Sequence, residues 1–184
     1  ETWPDTLRTA LAVCLNSTIP SAVYWGPDFT TFYNDAWANQ QAGRHPWAMG
    51  RPARESREDI WETLAPQFAE VMATGRGVSK TDQHLPIQRP GGRDSWWSYS
   101  VIPLHGPNGK VNGLLTQGFE TTEQILARQV LDQQTSRLRE MFEQAPGAVA
   151  ILRGPDHIYE IANEAYYELV GQRRDIIGKP LAKA

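Results

Sequence analysis

Residues 25–37 read WGPDFTTFYNDAW and residues 153–166 read RGPDHIYEIANEAY, and the likeness between the two decides how the chain is built. Gly26-Pro27-Asp28 answers Gly154-Pro155-Asp156, Asn34-Asp35-Ala36-Trp37 answers Asn163-Glu164-Ala165-Tyr166, and Gly50-Arg51-Pro52 answers Gly178-Lys179-Pro180. Asp to Asn spans 6 residues in one copy and 7 in the other; Asn to Gly spans 16 and 15. Three landmarks at matched intervals mark two copies of one structural unit. The second copy runs out at Ala184, whereas the first continues past Pro52 as far as residue 123.

Each copy has the same local pattern. Residues 21–25 and 30–34, rich in Val, Tyr, Phe and Thr, flank the Gly-Pro-Asp turn and predict a hairpin-like pair of strands. Asn34 then caps a short helix closing at Gly43, as Asn163 caps one closing at Gly171. Residues 1–16 contain LRTALAVCL, which predicts a short amphipathic capping helix. Ser56-Arg57-Glu58-Asp59 reads as a capping box opening a helix whose Ile60, Leu64, Phe68 and Met72 share a face until Gly75, with Pro66 expected to kink or divide it. Strands are predicted over 78–89, 95–104 and 111–119. They are joined by turns at Pro90-Gly91-Gly92 and at Asn108-Gly109, a dipeptide that sends the chain straight back antiparallel. The fold class is therefore α+β: a five-stranded antiparallel sheet with helices on one face.

Residues 123–145, EQILARQVLDQQTSRLREMFEQA, contain neither Gly nor Pro. Leu131 and Leu138 lie seven apart and Phe142 fills an intervening seam position, which predicts a helical connector pairing in parallel with its copy in a homodimer. The division expected is a capping helix over 1–16, a complete domain over 17–123, the connector over 124–145 and a truncated second unit over 146–184. A half-unit leaves Val149, Ile151, Ile158, Ile161, Tyr166, Leu169 and Val170 without a full covering layer, so its order is expected to depend on packing against another surface.

Among 184 residues, 40% are apolar, enough for a globular core, and the net charge is −3 with Lys and Arg scattered. Neither a nucleic-acid partner nor an anionic membrane surface is expected of such a charge distribution. No apolar run reaches the roughly 18 residues of a membrane-spanning helix and no secretory leader opens the chain, so a cytoplasmic location is expected. The start at Glu1 and the end at Ala184 read as those of a piece of a longer protein.

The order of elements and the residues at their joints resemble the PAS domain, the sensory α+β module of signalling proteins. The pieces that carry the resemblance are Gly26-Pro27-Asp28, Asn34-Asp35-Ala36, Gly50-Arg51-Pro52, the strand from Trp97 to Pro103, the Asn108-Gly109 hairpin and Glu120-Thr121-Thr122-Glu123. The last of these is similar to the family's Asp-x-Thr segment between final strand and signalling helix, with Glu120 in place of the aspartate. Resemblance implies that Glu120 and Thr122 form the signal exit. YNDAW, HPWAMGRPARE and this exit are most similar to the sensory regions of bacterial sensor histidine kinases, including the HWE type. The function implied is an input module that passes a signal through the connector to a downstream domain of the same chain; the alternative is a ligand-free interaction and dimerisation module.

All seven tryptophans fall in the first 97 residues. Trp25, Trp37, Trp61, Trp97, Tyr99 and Leu115 are the candidate lining of a pocket for a small molecule; the competing reading is plain core filling. Strand alternation puts Trp97, Tyr99 and Val101 on one face and Trp96, Ser98, Ser100 and Ile102 on the other, more polar one. Flavin-binding light sensors of the superfamily carry a reactive cysteine on a central helix and a glutamine two residues before the exit acid. Here the one cysteine, Cys14, precedes the first strand and Gln117 lies three before Glu120, so a cysteine-linked flavin is not expected. Haem would need an axial ligand, and of His45, His84, His105 and His157 only His84 sits in a strand, so haem is not expected either. No hydrolase elbow, metalloprotease motif, paired CxxC or phosphate loop is present, and no catalytic activity is expected of these residues.

Overall fold

The computed structural model describes residues 3–41, 43–88 and 94–183. Two compact units divide the chain, Glu1–Ile125 and Leu126–Ala184.

The first unit is built on one sheet of five antiparallel strands: β1 (Ser21–Trp25), β2 (Thr30–Tyr33), β3 (Val78–Leu85), β4 (Ser95–His105) and β5 (Val111–Glu120), in the order β2-β1-β5-β4-β3. Its helices are α1 (Asp5–Asn16), the short α2 (Asp35–Ala38) and α3 (Ala53–Ser56), a 3-10 turn over Glu58–Ile60, and α4 (Trp61–Thr74). The predicted Pro90-Gly91-Gly92 turn lies outside the described residues.

Period-two alternation gives the sheet two apolar faces. Ala22, Tyr24, Tyr33, Trp97, Tyr99, Val101 and Leu114 point to one side and are covered by Ile60, Leu64, Phe68 and Val71. On the other side Val23 and Leu115, with the partly buried Trp25, Phe32 and Leu104, meet Leu7, Ala10, Leu11 and Cys14 of α1. Helices therefore flank both faces, not one. The i, i+3, i+4, i+7 spacing of the four α1 residues makes a stripe that only a second sheet face can cover.

Two local expectations fail for backbone reasons. Ser56 ends α3 instead of opening α4: its Oγ donates back to the Ala53 carbonyl at 3.4 Å, and Arg57, at φ −132° and ψ 31°, breaks the helical run. Pro66 neither breaks nor divides α4, which runs unbroken from Trp61 to Thr74. Past the first turn, Pro66 forfeits its bond to the carbonyl of Glu62 and crowds that oxygen, yet the helix continues through it. The helix closing the first copy is also shorter than expected, ending at Ala38, whereas that of the second ends at Leu169 and closes at Gly171, whose φ is 76°.

Asn34 holds the joint between these pieces. Its Oδ1 accepts from Ser21 N (3.1 Å) and Trp37 N (2.9 Å), and its Nδ2 donates to the carbonyls of Ser17 and Ile19, both at 2.8 Å. One buried side chain thus fixes the α1–β1 link, the start of β1 and the start of α2.

The same arrangement recurs in the second unit, which contains β6 (Ala150–Arg153), β7 (Ile158–Ala162) and α6 (Glu164–Leu169), following α5 (Thr122–Glu143), the helix that begins in the first unit. Asn163 Oδ1 accepts from Val149 N and Tyr166 N, both at 2.9 Å, and Nδ2 donates to the carbonyls of Gly147 (2.9 Å) and Phe142 (3.2 Å). Positive φ angles at Gly26 and Phe29 match those at Gly154 and His157, and a bridge from Thr30 to Pro52 matches one from Ile158 to Pro180. Tyr159, Ala162 and Ile176 are the buried apolar residues of this unit, with Tyr166 and Val170 packed beside them. Val149, Ile151, Ile158, Ile161 and Leu169 are exposed.

Replacing Asn34 by Asp keeps the acceptor but sets a carboxylate against two backbone carbonyls, so a loss of about 3 kcal/mol is expected. A urea melt of the variant checks this; an unchanged midpoint would show that the clamp is dispensable.

Candidate functional site

Between the sheet and α4 lies a cavity of about 30 Å³, lined by side chains from the sheet and from the helices on this face. β1 contributes Tyr24, β4 Trp97 and Tyr99, and β5 Thr116; α2 contributes Trp37, and the 3-10 turn and α4 contribute Ile60, Leu64 and Phe68. Leu85, Ile87 and Arg57 complete it. The volume suits a few water-sized groups.

Three of the six residues proposed for a pocket meet here: Trp37, Trp97 and Tyr99. Trp25 and Leu115 do not. They belong to the face covered by α1, because their strand neighbours Tyr24 and Leu114 take the inward positions and a one-residue step reverses the face. Trp61 stands outside the cavity as well, half-buried against Phe29 and Phe68 with ring centroids 6.1 and 6.0 Å away.

Most polar groups on the wall are satisfied. Trp97 Nε1 donates to Ser95 Oγ at 2.9 Å, Thr116 Oγ1 donates to the Ala22 carbonyl at 3.3 Å, and the Tyr99 hydroxyl sits 2.9 Å from Gln67 Oε1 and 2.7 Å from Gln83 Oε1. Burial pushes the Tyr99 phenol up to about 12, so it stays protonated as a donor throughout the physiological range. Arg57 is different. It is only 3% exposed, its guanidinium lies 5.5 Å from the centroid of the Trp37 ring, and no acceptor or carboxylate pairs with the guanidinium among the described residues. Burial also raises the Tyr33 phenol, an effect that the Arg57 charge opposes. Sequence reading missed Arg57 because it sat inside an apparent capping box. The available signal was a cation beside Ile60 and Leu64 on the way into an apolar helix face.

The remaining cofactor candidates occupy other places. Cys14 is fully buried on the sheet-facing side of α1, donates to the Ser21 carbonyl at 3.3 Å, and is pushed up to about 11 by burial, which makes it a poor nucleophile. Gln117 turns toward Ser21 Oγ (3.1 Å), and the position two before Glu120 is Gly118, where a Cβ would come within 2.4 Å of Tyr99 Cβ. His84 is half-exposed beside Asp94 (3.2 Å) and Trp96. Tyr33 OH meets His45 Nδ1 at 3.2 Å. No group of three metal-ligating side chains occurs among the described residues.

At the exit, the first turn of α5 is tied to the neighbouring strand. Thr122 Oγ1 accepts from Trp96 N at 3.0 Å and donates to Glu120 Oε1, while Thr121 N donates to the Trp96 carbonyl at 2.7 Å. Further along α5, Leu131 and Leu138 are 62% and 67% exposed and Phe142 is half-buried.

A family model described as the PAS fold matches residues 15–125, more than half of the chain and all five strands of the sheet. The chain belongs to the PAS-fold family. Among solved structures, an RNA-binding light-oxygen-voltage receptor is similar with a TM-score of 0.51 at 18% identity; the match covers 73% of this chain but 38% of the receptor's. A variant of the light-oxygen-voltage protein RsLOV gives 0.50 at 15% identity over 65% of this chain and 68% of its own. A sensory box sensor histidine kinase from Vibrio cholerae gives 0.47 at 12% identity, covering 62% of this chain and 90% of that one. At such identities the likeness is one of fold. No curated protein matches the chain by sequence.

Replacing Thr122 by Val removes both exit bonds of its hydroxyl and leaves Trp96 N without its acceptor. A loss of about 1–2 kcal/mol is expected, with faster amide exchange at Trp96, while Thr122→Ser retains both. Equal exchange in the two variants would show that the hydroxyl does not hold the joint.

Proposed function

We propose that this chain is the sensory input region of a larger signalling protein of the sensor histidine kinase kind, with one PAS domain over residues 17–123 followed by a connector and the opening of a second unit. A small molecule in the cavity shifts the population between two arrangements of the strand-to-helix joint, and α5 passes that shift to a downstream domain of the same chain. One observation carries the reading: Trp97 walls the cavity, and its neighbour Trp96 holds both Thr121 and Thr122 through its backbone. Cavity and exit share one strand.

Kinase class is supported by the YNDAW, HPWAMGRPARE and Glu120-Thr121-Thr122-Glu123 wording. Repetition of the asparagine clamp and of the turn angles supports reading residues 146–184 as the start of a second PAS unit. No helix among the described residues is long and apolar enough to cross a membrane. No catalytic role is proposed for these residues. The small size of the cavity favours a second reading, a dimerisation module with a filled core and no ligand.

In either reading α5 associates with its copy, because Leu131 and Leu138 stand exposed on it and would bury their side chains in a parallel seam with Phe142. Native mass spectrometry of the purified chain tests both points. A dimer is expected, and Leu131 and Leu138 replaced together by Asp should give monomers. A wild-type monomer would remove the seam, and a dimer to which no added compact metabolite binds would favour the ligand-free module.

A further inference from the structure

The cavity has a chemical signature that narrows what could occupy it. Its wall is aromatic and aliphatic except for Arg57, Thr116 and the polar tips of its tyrosines and tryptophans. Thr116 Oγ1 donates to the Ala22 carbonyl, Trp97 Nε1 donates to Ser95 Oγ, and the Tyr99 hydroxyl faces the oxygens of Gln67 and Gln83. Two donors are left over. Trp37 Nε1 is buried without a partner, and the guanidinium of Arg57, on a residue 3% exposed, has neither acceptor nor carboxylate among the described residues.

Such an arrangement is costly unless something completes it, since a guanidinium removed from water needs a counter-charge or a full set of acceptors. Of Asp59, Oδ2 pairs with Arg44 at 2.6 Å and accepts from Gln88 N at 2.7 Å, while Oδ1 is buried without a partner and so does not pair with Arg57. The Trp37 ring beside Arg57 offsets part of the charge through its π face, but it accepts no hydrogen bond in the plane of the fork. That plane is where a carboxylate binds a guanidinium with two parallel bonds.

We infer that the cavity takes a short-chain monocarboxylate, with its carboxylate on Arg57 and its few carbons against Leu64, Phe68 and Trp97. The inference rests on the reading of the cavity as a ligand site and adds the charge and size of the occupant. Size follows from the volume: about 30 Å³ suits a few water-sized groups, which favours the smallest of these acids, acetate first, and excludes flat polycyclic ligands without rearrangement. Charge follows from the two unpaired donors of the wall, Trp37 Nε1 and the Arg57 guanidinium.

The test is a titration of the full chain, followed by the tryptophan indole N–H signals in NMR at neutral pH and fixed ionic strength. Acetate, propionate and butyrate are compared with acetamide, propionamide and butyramide. The acids should shift the Trp37 and Trp97 signals saturably and bind at least tenfold more tightly than the amides, and Arg57→Gln should remove that preference. Acids and amides of equal affinity would overturn the charge assignment while leaving the cavity a ligand site. Saturable shifts with neither would overturn both. The comparison of acid with amide uses the unaltered protein, so it stands even if Arg57→Gln does not fold.

Discussion

The four hydrogen bonds of Asn34 are the constraint on which the rest of the first unit depends. A buried amide has two donors and two acceptor positions, and the four are spread over three pieces of backbone: the link after α1, the first residue of β1 and the first turn of α2. With these fixed, the hairpin of β1 and β2 enters the sheet in one register, Tyr24 and Tyr33 face α4, and Val23 faces α1. Asn163 repeats the pattern with the same geometry, so the sequence repeat is at bottom the repeat of one clamp.

Parity then decides the site. A strand side chain faces one side or the other, and a single step separates cavity lining from the α1 interface. Tyr24 and Thr116 line the cavity while Trp25 and Leu115 close the opposite face. Aromatic residues are shared between the two layers, which is why their abundance alone does not measure a pocket.

Much of this was legible in the residues, and the failures have local causes. Strand positions, the Asn34 and Asn163 caps, the Asn108-Gly109 reversal and the inward set Trp97, Tyr99 and Val101 follow from alternation and turn chemistry, which are short-range. The second helical layer was not legible as such, since the stripe on α1 says that it needs a partner but not which sheet face supplies it. Trp25 and Leu115 were misplaced because size and aromatic character carry no information on parity. Arg57 was hidden for another reason. Its environment is made by Trp37 and Leu85, far along the chain, and by a helix break that the Ser-x-x-Asp pattern masks.

The proposed link from the cavity to α5 is the backbone of β4. Trp97 presents its ring to the cavity while the adjacent Trp96 bonds the first turn of α5, so cavity and exit are held by neighbouring residues of one strand. Amide exchange at Thr121 and Ile125 measures this coupling most directly in the full chain. Their N–H groups donate to the Trp96 and Thr121 carbonyls at 2.7 and 3.0 Å. Two variants should be compared: Trp97→Leu, which opens the cavity, and Leu11→Ala, which loosens the opposite face. After correction for global stability, Trp97→Leu should speed exchange at both amides and Leu11→Ala should leave them unchanged. Equal exchange in both variants would contradict a path from cavity to exit through β4.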